Sequence, residues 1–80
     1  MKALYTLILN NREYNLNNVY DRIALRDTLS MFGFFKDEEN KKYYPWFAEE
    51  SIGKANVMEC LSAIKLFIIA RVPKDLEKLN

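Results

Sequence analysis

Histidine is absent from this chain of 80 residues. Its absence removes the commonest general base, the commonest metal ligand, and every Ser-His or Cys-His pairing. Cysteine occurs once, at Cys60, which excludes an internal disulfide and a thiolate metal cluster. Cys60 falls inside an apolar helical pattern and reads as a small buried hydrophobe rather than a nucleophile. Glycine is confined to Gly33 and Gly53, so no glycine loop is available to cradle a phosphate. From these absences we expect no catalytic residue, no metal site and no cofactor.

Long hydrophobic runs are missing too. The longest, Leu66 to Ala70, is far too short to cross a bilayer. A secretory leader is not expected, because Asn10, Asn11 and Arg12 interrupt the apolar start. Together these suggest a cytoplasmic, reducing location away from membranes. Neither sign of charge dominates: 12 basic side chains face 11 acidic ones, a net charge of +1. That opposes a basic coat that would clamp nucleic acid and an acidic surface that would imitate it.

What the chain does have is apolar mass. Half its residues are apolar and 14% are aromatic, enough for one compact domain over residues 1–80. Leu4 to Leu9 is rich in strand formers, Asn10-Asn11 suits a two-residue turn, and Arg12 to Leu16 returns. With Leu9 opposite Arg12, Leu7 faces Tyr14 and Tyr5 faces Leu16 on one side of the ribbon, while Thr6, Ile8, Glu13 and Asn15 take the other. Asn18 then resembles an N-cap and Asp21 a first-turn acid. A helix from Val19 to about Phe32 would close at Gly33, with an apolar band through Tyr20, Ala24, Leu25, Leu29, Met31 and Phe32.

Phe34 to Phe47 has aromatic ends and a charged tip, the composition of a second hairpin that Pro45 would confine to a sheet edge. Ser51 is placed to cap the next helix, whose face comprises Val57, Cys60, Leu61, Ile64, Phe67 and Ile68. Phe67 to Val72 is β-branched enough to suit a strand as well as a helix, Pro73 closes it, and Lys74 to Leu79 could add a turn. The expected fold is α+β: an N-terminal β-hairpin, a helix, a second hairpin or paired strand, and a long C-terminal amphipathic helix packed on a small antiparallel sheet.

The aromatic segment is the best candidate contact surface. Phe35, Lys36, Glu38, Glu39, Lys41, Lys42, Tyr44 and Trp46 mix rings with both charges, although core packing competes for the same rings. Residues 34–53 carry three lysines against five carboxylates, a local charge of −2 that opposes a phosphate backbone. Asp37-Glu38-Glu39 reads as a solvated turn rather than a metal site, and Glu49-Glu50 as charge ahead of a helix N-terminus. Arg22 and Arg26, four apart, read first as a solvated helix face and second as a grip for phosphate or a partner's carboxylate.

The expected function is a non-catalytic protein-binding module acting stoichiometrically. An inhibitor or adaptor of the kind phages and mobile elements encode fits that size. The alternative is a nucleic-acid-binding module using the Lys-aromatic segment and the Arg22/Arg26 face. A homodimer is the third option, should Ile8, Ile52, Phe67 and Ile69 lie outside the core.

Overall fold

The computed structural model describes residues 5–71, and the expectations for Val72, Pro73 and 74–79 lie outside them. The described chain is α+β. Strands β1 (Thr6–Leu9) and β2 (Arg12–Asn15) form an antiparallel pair with Leu9 opposite Arg12, Leu7 opposite Tyr14 and Ile8 opposite Glu13. Asn10 and Asn11 both take positive φ, 59° and 62°, as a type I′ turn requires. That turn fixes the register, and the register sends Leu7, Leu9, Tyr14 and Leu16 into the core while Ile8 stays outside.

The chain then enters helix α1 (Val19–Met31) through a side-chain cap. The Asn18 side-chain oxygen accepts from the amides of Tyr20 and Asp21, two of the donors a helix start leaves unpaired. Asp21 reaches back to accept from the Asn15 amide at 2.9 Å, tying the hairpin to the helix. At the far end Gly33 sits at φ 89° and its amide donates to the Ser30 carbonyl at 3.0 Å. The apolar band expected on α1 needs correction. Leu25 and Leu29 are buried, but Tyr20 and Met31 are exposed. The third buried residue of this stripe is Arg22, spaced three from Leu25.

Residues 34–47 do not form a second hairpin. They make a 3₁₀ turn (Phe34–Lys36), a single helical turn α2 (Glu38–Lys41) and the start of another 3₁₀ turn (Pro45–Ala48). The middle of the segment is Glu, Glu, Asn and Lys, helix-tolerant side chains with no β-branched residue to favour a strand. Pro45 begins the last turn, where its missing N–H costs nothing. Local bonds, such as Tyr43 N–H to Asn40 O and Trp46 N–H to Tyr43 O, both at 3.0 Å, satisfy backbone groups that a strand would have to pair elsewhere.

Helix α3 (Lys54–Arg71) starts at the lysine after Gly53, so Ser51 lies ahead of its cap position. Residues 67–71, ambiguous by composition, are helical. Val57, Cys60, Leu61, Ile64 and Phe67 form its buried face, as their spacing implies. One buried cluster joins the hairpin, α1, the aromatic segment and α3.

Candidate functional site

Phe34, Trp46 and Phe47 are the anchors of the aromatic segment, buried in the shared core. Phe34 meets Phe67 of α3 edge to face at 5.1 Å between ring centres, and Trp46 meets Phe47 at 4.6 Å. Trp46 is only 6% exposed, which removes it from the contact surface on which the sequence placed it. The reason is the turn. Trp46 and Phe47 are consecutive and both face inward, an arrangement that strand alternation forbids and a 3₁₀ turn allows.

The remaining residues lie on the outside. Lys36, Glu38, Glu39, Lys41, Lys42 and Tyr44 are exposed, and Phe35 is half-buried beneath them. Tyr44, 48% exposed, rests edge-on against Phe35 at 5.0 Å, and the Arg26 guanidinium of α1 lies 5.3 Å from its ring centre. Arg26 also donates to Asp27 Oδ1 at 3.2 Å. One sequence candidate thus joins the surface, as a cation stacked on its exposed tyrosine.

Arg22 does not. It is fully buried, where the sequence reading had it on a solvated face or gripping an outside anion. Its Nη1 donates to the Leu16 carbonyl at 2.6 Å and its Nη2 to the Glu49 carbonyl. The guanidinium lies 5.7 Å from the Trp46 ring centre. Burial pulls its pKa below the usual value, and the nearby Glu49 carboxylate offsets part of that. The side chain clamps the exit of the hairpin and the end of the aromatic segment to α1.

Asp37, Tyr43, Glu59 and Arg71, which the sequence did not single out as site residues, tie the surface down. Lys42 Nζ and the Tyr43 hydroxyl both donate to Glu59 Oε1 of α3, at 2.8 and 3.1 Å. Arg71 pairs with Asp37 at 3.0 Å. Glu59 is held below its usual pKa, chiefly by its hydrogen bond from Lys42 and then by that from Tyr43. Lys42 is raised by the same bond with Glu59, and Tyr43 is raised by burial and then by Glu59. Beside them opens a shallow cleft of about 280 Å³ lined by Lys42, Tyr43, Pro45, Glu49, Asn56 and Glu59 among others. Each shift favours the resting form: ammonium, phenol and carboxylate.

Cys60 is buried, and burial with the Glu59 charge pushes its thiol up to about 12. Among the described residues no group of three His, Cys, Asp or Glu side chains could hold a metal ion, and no helix is long and apolar enough to cross a membrane. Compared with protein-family models, curated proteins and solved structures, the chain has no significant match.

Proposed function

We propose that this chain is a small non-catalytic module that binds a protein partner stoichiometrically, through the surface centred on Tyr44 and Arg26. The observation that carries the reading is the mounting of Tyr44. Its ring is half in solvent, yet held by an edge-on contact with Phe35 and by the Arg26 guanidinium, beside anchors buried in the core. Tyrosine and arginine dominate binding hot spots, and a ring already held in place loses little freedom when a partner covers it. Around it Glu38, Glu39, Lys36 and Lys41 supply both charges, a rim suited to a protein's mixed surface rather than to a phosphate backbone. An inhibitor or adaptor role in a cytoplasmic setting is the form of this activity we favour.

The nucleic-acid alternative loses a contact with the burial of Arg22, and Lys41 and Lys42 already face Glu38 and Glu59 at 2.8 Å. The test begins by capturing partners from the native host with the wild-type chain and with Tyr44→Ala. A protein bound at a defined ratio to wild type, and weakened roughly tenfold or more by Tyr44→Ala in calorimetry, supports the proposal. Equal binding by a folded Tyr44→Ala sinks it. So would oligonucleotide binding with a steep salt dependence and no protein partner.

A further inference from the structure

We draw no further inference here: the strongest candidate, the open apolar groove of about 380 Å³ between β1 and α3 lined by Ile8, Ile68 and Ile69 among others, carries none because nothing in the structure shows what covers it.

Discussion

Arg22 shows how much one side chain can hold. Two main-chain carbonyls, of Leu16 and Glu49, accept from its guanidinium, the first in a buried bond and the second in a part-buried one. Arg22→Ala would leave the buried Leu16 acceptor unpaired and a hole beside Trp46, at a cost of about 2–4 kcal/mol. For a domain whose whole stability is about 4–12 kcal/mol, that loss is severe. Arg22→Lys keeps the charge but offers one compact ammonium where a fork bridged two oxygens, so its urea midpoint should fall between wild type and alanine. A midpoint unchanged by Arg22→Ala would contradict the clamp. Cys60 gives a second prediction. Its folded pKa, about 12, stands above the ordinary value of 9.0, so the folded state keeps a proton that the unfolded chain gives up. The resulting stability is complete below pH 9 and lost as pH rises toward 12, by at most about 4 kcal/mol. Urea melts of wild type and Cys60→Ala across this window should converge, with wild type losing more. The burial of Cys60 was legible in its helical pattern, whereas that of Arg22 was not. Arg22 lies 27 residues from Glu49, and only folding brings them together.

Elements were legible where their signals were local. Asn10-Asn11, Asn18 and Gly33 each act within a few residues, and each stands where the sequence placed it. The aromatic segment was not legible in the same way, because its rings suit a strand while its backbone bonds suit turns. Which side of that conflict prevails depends on packing against α1 and α3. The contact surface was therefore half read: its charges and Tyr44 are outside, whereas Trp46 is inside and Glu59, sixteen residues from Tyr43, completes the site unannounced. The local signals also make opposed predictions from one cause. Gly33 holds φ 89°, and a Cβ there would meet the Lys36 side chain at an ordinary 3.5 Å, so Gly33→Ala suffers from its backbone alone, by about 1–2 kcal/mol. Asn11 holds φ 62° with a side chain already present. Asn11→Gly should relieve part of that strain and raise stability by up to about 1 kcal/mol. Thermal melts of the two variants should move in opposite directions.

At the scale of the whole molecule, no element is stable by itself. Two short strands form a ribbon that is marginal in water, and isolated helices as short as α1 are marginal as well. Their buried residues belong to a single cluster, and Arg22 fastens the hairpin and the aromatic segment to α1. Removing any one element opens the core of the others. The described domain should therefore unfold as one unit. Trp46, the only tryptophan, reports the aromatic segment, and far-UV circular dichroism reports mainly α1 and α3. Their urea transitions should coincide in midpoint and slope. If tryptophan emission shifts before helix signal is lost, the aromatic segment is a separate, weaker unit and the mounting of Tyr44 is less rigid than its contacts imply.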